Sequence, residues 1–182
     1  MSAFENIDSV VTLVRSRLEG AAWTSPINLC REYDPCLPQV DCYIGLINQV
    51  IMNLVENAID AIRERQAQSA TDQDQTDQHR GLIQIQTQQF GGTSVRVMVR
   101  DNGTGIDEAT RAKIFDPFFT TKPVGVGTGM GLATSYQIVA GNHGGNLSCA
   151  SVPGEGTTFT LELPVQKLGA PGASTPQSPR AT

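Results

Sequence analysis

Asn53, Glu56, Asn57 and Asp60 recur at i, i+3, i+4 and i+7, the spacing that lines residues along one face of a helix. Asparagine is a poor helix former because its amide competes for nearby backbone groups, so two of them one turn apart argue for a use of that face beyond solvation. Further on, Asp101 follows an alternating run, residues 95–99, and opens a first glycine-rich turn, D-N-G-T-G-I. A second turn, V-G-V-G-T-G-M-G-L, leads directly into an apolar periodic run over residues 132–139. Glycines let backbone N–H groups approach a phosphate, and a helix start adds unpaired donors and the positive end of a dipole. The Asp101 carboxylate can accept a hydrogen bond from an exocyclic amine. A base held at one end and phosphates at the other make a nucleotide pocket.

These residues need elements to hold them. The polar stripe belongs to a helix expected over residues 43–65, extended by Gln49 and Glu64, with Ile47, Ile51, Leu54, Ala58 and Ile62 on the opposite face. A strand precedes it at 27–33. Residues 82–88 and 95–99 alternate and are joined by Gly91-Gly92 as a hairpin that ends at Asp101. A short helix is expected over 107–114, followed by F-D-P-F-F-T-T-K, in which Phe115 reads as core. Residues 120–129 read as a short lid whose only cation is Lys122. The last helix runs to Val139 and stops at G-N-H-G-G, and strands at 146–150 and 157–163 flank the turn P-G-E-G. Residues 7–18 carry an apolar helical period, either packing on the domain or trailing from an upstream helical module. Residues 66–80 hold nothing apolar larger than alanine, and the segment from 166 is rich in Pro, Gly and Ser. Both are expected to lack fixed structure, as a surface insertion and a tail. The order predicts an α+β fold: a two-layer sandwich of a mixed, mostly antiparallel sheet with helices on one face. One domain at 25–165 accounts for the 182 residues, with 1–24 as an N-terminal helix and linker.

Composition narrows the classes. A net charge of −5, without a basic stripe, argues against a nucleic-acid partner. No apolar run is long enough to span a membrane and no secretory signal opens the chain, so a cytoplasmic location is expected. The four cysteines form no C-x-x-C pair, and neither His79 nor His143 lies near the first three, so they read as reduced thiols.

The motifs resemble the ATP-binding catalytic domain of sensor histidine kinases, within the GHKL superfamily that also holds gyrase, heat-shock chaperone and mismatch-repair ATPases. Four family boxes stand in the family's order: N (53–60), G1 (101–105), F (115–119) and G2 (127–131), and the likeness covers residues 25–164. It implies the Bergerat ATP-binding fold, with Asn53 and Asn57 holding Mg²⁺ and the phosphates of ATP. It implies nucleotide contacts from Asp60, Asp101, Gly103, Gly105, Ile106, Phe118, Phe119, Thr120 and Lys122. On the second turn it implies contacts from Gly127, Thr128, Gly129, Met130, Gly131 and Leu132, with Thr157 supporting Asp101. Phe118 and Phe119 would anchor the lid, and His143 would be structural.

Two departures bear on activity. Hydrolysing relatives carry a glutamate as general base one turn before the Asn57 position. Here Asn53 stands there, an amide that takes no proton, which favours phosphoryl transfer over hydrolysis. Glu56, close by on the same helix, remains a candidate base. Many family members also carry a lysine where this chain has Asp60, and Lys122 would replace its charge. The resemblance implies a homodimeric sensor kinase in its full length, membrane contact lying outside this chain. That kinase would phosphorylate a histidine on a separate dimerisation module, absent here, and relay the phosphoryl group to a response regulator. The alternatives are a serine kinase of the anti-sigma-factor type and a non-catalytic module that signals by binding nucleotide.

Overall fold

The computed structural model describes residues 7–19, 25–69, 80–122 and 127–165. The elements run α1 (Ile7–Glu19), β1 (Ile27–Tyr33), α2 (Ile44–Ser69), β2 (Gly81–Phe90), β3 (Ser94–Asp101), α3 (Glu108–Arg111), α4 (Gly131–Tyr136), β4 (Asn146–Val152) and β5 (Gly156–Pro164). A π-helical extension, Gln137–Asn142, continues α4 with a wider turn.

The strands form one five-stranded sheet in the order β1-β2-β3-β5-β4. Only β1 and β2 pair in parallel, as the intervening α2 crossover requires; the other pairs are antiparallel. Register follows the alternation of the sequence. Ile83 and Ile85 of β2, Val95, Val97 and Val99 of β3, and Phe159, Leu161 and Leu163 of β5 are buried on one face. Against that face lies α2, whose Ile47, Ile51, Leu54, Ala58 and Ile62 are joined in the core by Val50, Val55 and Ile59. Each fully buried aliphatic side chain adds about 1.5–3 kcal/mol of transfer free energy, so this stripe fixes the rotation of α2 about its axis. Its polar residues are thereby turned toward α4. The first helix packs through Ile7, Val10, Val14 and Leu18, while Leu13 is exposed.

Three elements depart from the sequence expectation. The helix expected to stop at Arg65 continues to Ser69, so residues 66–69 of the supposed insertion are helical. Alanine and glutamine propagate a helix well, and Arg63 ties this end down by donating to the Ser25 carbonyl at 2.6 Å and to Gln66 at 2.9 Å. Residues 70–79 of the insertion with His79, part of the lid, the linker at 20–24 and the tail lie outside the described residues. The helix expected over 107–114 is one turn long. Asp107 caps it, accepting the Thr110 N–H at 2.9 Å. The helix expected at 132–139 is regular only to Tyr136 before it widens. No described helix is long and apolar enough to cross a membrane.

Candidate nucleotide site

The polar face of α2 and the start of α4 meet. Asn53 Nδ2 donates to the Gly131 carbonyl and to Ser135 Oγ, both at 3.1 Å. Asn57 and Glu56 on the same stripe, and Asp60 beyond them, are each half-buried. A methyl group on Gly131 would meet only the Asn53 amide, at 3.8–3.9 Å, an ordinary contact. No described protein atom requires glycine there. The donors on this face are amide and carboxylate oxygens, the chemistry of a hard cation that retains waters. ATP with Mg²⁺ fits that set.

Asp60 departs from its expected use. Its carboxylate accepts the Lys122 ammonium at 2.6 Å, each side chain being about one-third exposed. The contact of Asp60 in this structure is therefore with a cation, and Lys122 does not stand unpaired over the phosphate space. Thr120 lies alongside: its Oγ1 accepts the Lys122 N–H at 3.1 Å, and Gly127 packs against both residues.

At the other end of the site Asp101 is the last residue of β3 and is 4% exposed. Burial pushes its carboxyl up to about 6, opposed by hydrogen bonds from the Gly103 and Thr157 backbone N–H groups. The Gly103 bond is 2.8 Å. A carboxylate offers about four lone-pair positions, so beyond these two backbone donors Asp101 has the capacity to accept a further one.

Thr157 reaches Asp101 by a route the sequence does not display. Ser151 Oγ accepts the Ile106 N–H at 2.8 Å and lies 2.9 Å from both the Gly156 carbonyl and Thr157 Oγ1. A carbonyl only accepts, so the one Ser151 proton goes to Gly156, and the Thr157 hydroxyl must donate to Ser151. Thr157 therefore supports Asp101 through its backbone N–H, while its hydroxyl holds Ser151 and, through it, the first glycine turn.

That turn is pinned by packing. Gly105 has φ +69°, and a methyl group there would collide with the Val152 carbonyl oxygen. Gly103 lies against Ala61 of α2, whose carbonyl accepts the Thr104 N–H at 3.3 Å. Both glycines thus owe their identity to close protein contacts, where the sequence alone suggested room for phosphate. Ile106 packs on the core.

The phenylalanine segment divides in two. Phe115 packs on the core and against Tyr136, ring centroids 5.4 Å apart, and Phe119 packs on the core. Phe118 is 76% exposed with φ +65°, whereas Phe119 is half-buried. The Phe118 backbone instead receives Gly129, itself at φ +65°; a methyl group there would lie 2.5 Å from the Phe118 carbonyl carbon. Thr128 Oγ1 accepts the Met130 N–H at 3.3 Å, Met130 is exposed, and Leu132 packs on the core.

His143 is buried, with both ring nitrogens engaged. Nε2 accepts the Tyr43 N–H at 3.0 Å, so the ring proton is on Nδ1, which donates to the Ile138 carbonyl at 2.8 Å. It joins the start of α2 to the end of the π-helical extension. Neither nitrogen is available to attack a phosphorus atom.

A buried carboxylate at a strand end, glycine turns locked onto neighbouring elements and an amide-lined helix start together define a nucleotide-binding domain. The family of histidine kinase-, DNA gyrase B- and HSP90-like ATPases matches residues 44–167, and the chain belongs to it. The signal transduction histidine-protein kinase AtoS of Escherichia coli K12 is 39% identical over 143 residues, 79% of this chain and 21% of AtoS. The chain thus spans about a fifth of that relative's length. The nucleotide-free catalytic domain of histidine kinase ThkA superposes with a TM-score of 0.66 at 32% identity, covering 88% of this chain and 92% of that one. ThkA in complex with the response regulator protein TrrA aligns with a TM-score of 0.64 at 28% identity, over 91% of this chain and 41% of that one. This chain is a histidine-kinase-type ATPase domain, and ATP is its nucleotide.

Proposed function

We propose that the domain, residues 25–165, binds Mg²⁺–ATP and donates the γ-phosphoryl group to a histidine on a separate helical module of a sensor kinase. The observation that carries the reading is the joining of α2 to α4 at Asn53 and Gly131. It sets the amide stripe beside the second glycine turn, while Asp101, at the end of β3, lies where the first glycine turn packs on Ala61 of α2. In this reading Asp101 accepts the adenine amine. Asn57 and Asn53 present oxygens to the cation, which offsets phosphate charge when bound, and Lys122 leaves Asp60 for a phosphate oxygen.

Water is a poor acceptor in such a site. Asn53 is no base, and its amide nitrogen donates to Gly131 and Ser135. Positioning supplies most of phosphoryl-transfer catalysis, so a histidine docked in line competes well against unactivated water. His143 is held inside the fold and does not serve. The acceptor module, the dimer it forms and the response regulator that takes the phosphoryl group lie outside this chain; the ThkA–TrrA complex supports the last of these by likeness. The domain works in the cytoplasm, where ATP is. Titration calorimetry with ATP, in Mg²⁺ and in EDTA, tests the reading: binding strengthened by Mg²⁺ supports it, and absence of binding overturns it.

A further inference from the structure

Ser135 lies four residues into α4, fully buried at 0% exposure. Its hydroxyl is 2.8 Å from the Gly131 carbonyl and 3.1 Å from Asn53 Nδ2, while Nδ2 is also 3.1 Å from that same carbonyl. These three groups fix which atoms donate and which accept. The Gly131 carbonyl only accepts, so the Asn53 atom beside it is nitrogen. The single Ser135 proton goes to the carbonyl, as in other serines that bond back one helical turn. Toward Asn53 the hydroxyl is therefore an acceptor, and it shares the amide nitrogen's donors with the carbonyl. With the nitrogen turned to these two acceptors, the amide presents Oδ1 on its other side.

From this geometry we infer that Ser135 is a positioning residue for Asn53, locking the amide so that it presents only its oxygen to a hard divalent cation in the site. The inference rests on the proposed Mg²⁺–ATP reading and narrows it. An unlocked amide turns over easily, and the turned form would present N–H groups that suit a phosphate and repel a cation. Ser135 adds a second acceptor beside the Gly131 carbonyl and so strengthens the lock, and Asn53 becomes a cation ligand and not a phosphate donor. Since Ser135 touches neither ion nor nucleotide, its effect appears only in the share of affinity contributed by the metal.

The test compares Ser135→Ala with the unsubstituted chain by calorimetry, using ATP with Mg²⁺, ATP with EDTA, and adenosine. The Mg²⁺-dependent gain in ATP affinity should fall about threefold to tenfold, the worth of one neutral hydrogen bond. Adenosine and metal-free ATP should bind as before. A Mg²⁺ gain that is unchanged, or a loss equal for all three ligands, would overturn the role. Should Ser135→Ala not fold, nuclear magnetic resonance of the unsubstituted chain decides. The Asn53 side-chain amide should keep a proton protected from solvent exchange with Mg²⁺–ATP bound, and free exchange of both protons would overturn the role. An unsubstituted chain whose ATP affinity ignores Mg²⁺ would overturn the metal reading itself, a result distinct from an unchanged gain in the variant.

Discussion

Replacing Asp101 with asparagine should make the nucleotide-free domain more stable and at the same time disable it. The carboxyl of Asp101 is pushed up from an ordinary 3.8 to about 6, chiefly by burial. A folded-state value above the unfolded one means the native protein holds the proton more tightly than the unfolded chain does. The stabilisation from the protonated form is full below pH 3.8 and is lost as pH rises through about 6. At neutral pH the ionised side chain therefore costs about 3 kcal/mol, since moving a pKa by one costs ~1.4 kcal/mol. The asparagine side chain would be neutral at all pH values and of nearly the same shape. Some of the gain is lost where its NH₂ group faces a backbone donor, leaving a net stabilisation of about 1–3 kcal/mol near neutral pH. Urea unfolding should show this gap at about pH 7.5 and show it closing by about pH 4. The same variant should bind ATP roughly tenfold to a hundredfold more weakly, because a charge-assisted hydrogen bond to adenine is lost. An Asp101→Asn variant that is less stable than the parent near neutral pH, or that binds ATP equally well, would refute the reasoning.

Other substitutions separate the remaining roles. Asn57→Ala should weaken Mg²⁺–ATP by about tenfold or more while leaving adenosine binding nearly unchanged by calorimetry. Lys122→Gln removes a partly exposed ion pair worth about 0–1 kcal/mol, so thermal unfolding should barely move while ATP affinity falls. Asp60→Asn frees Lys122 from its partner and should raise ATP affinity severalfold; a fall would show that Asp60 aims the lysine and does not compete for it. Gly105→Ala sets a side chain at φ +69° against the Val152 carbonyl and should cost about 2–4 kcal/mol in urea unfolding, with or without nucleotide.

What a sequence discloses depends on how local the cause is. Strand register is readable because the inward valines and isoleucines of β2 and β3 alternate with outward residues, glutamine and arginine among them, a period that marks a half-buried strand. The α2 stripe is readable for the same reason at helical spacing. The last turn of α2 is not, because nothing in it is apolar enough to signal burial. The helix continues there on propensity and on Arg63 and Arg65, which bond carbonyls at Ser25 and Asn102, far away in sequence. Ser151 and Ser135 are invisible as site residues, since a small hydroxyl in a strand or helix carries no pattern and acquires its partners only through the tertiary fold. Asp60 and Lys122 each stand out as charged site residues, yet their pairing joins residues 62 positions apart and follows from no spacing. The glycines of the first turn stand out for their flexibility, whereas Ala61 and Val152, which force two of them, are brought near only by folding.

Transfer of phosphoryl groups to histidine, in preference to hydrolysis of ATP, is tested most directly by following the label. The chain is incubated with γ-labelled Mg²⁺–ATP and an isolated helical histidine module of a sensor kinase, and the stability of the labelled product is then measured. Acid-labile, base-stable phosphate should appear on the module and none on this chain, with very slow release of free phosphate when the module is left out. Acid-stable phosphate on a serine of the partner, or rapid steady ATP turnover by the chain alone, would contradict histidine as the acceptor and Asn53 as the reason water is excluded.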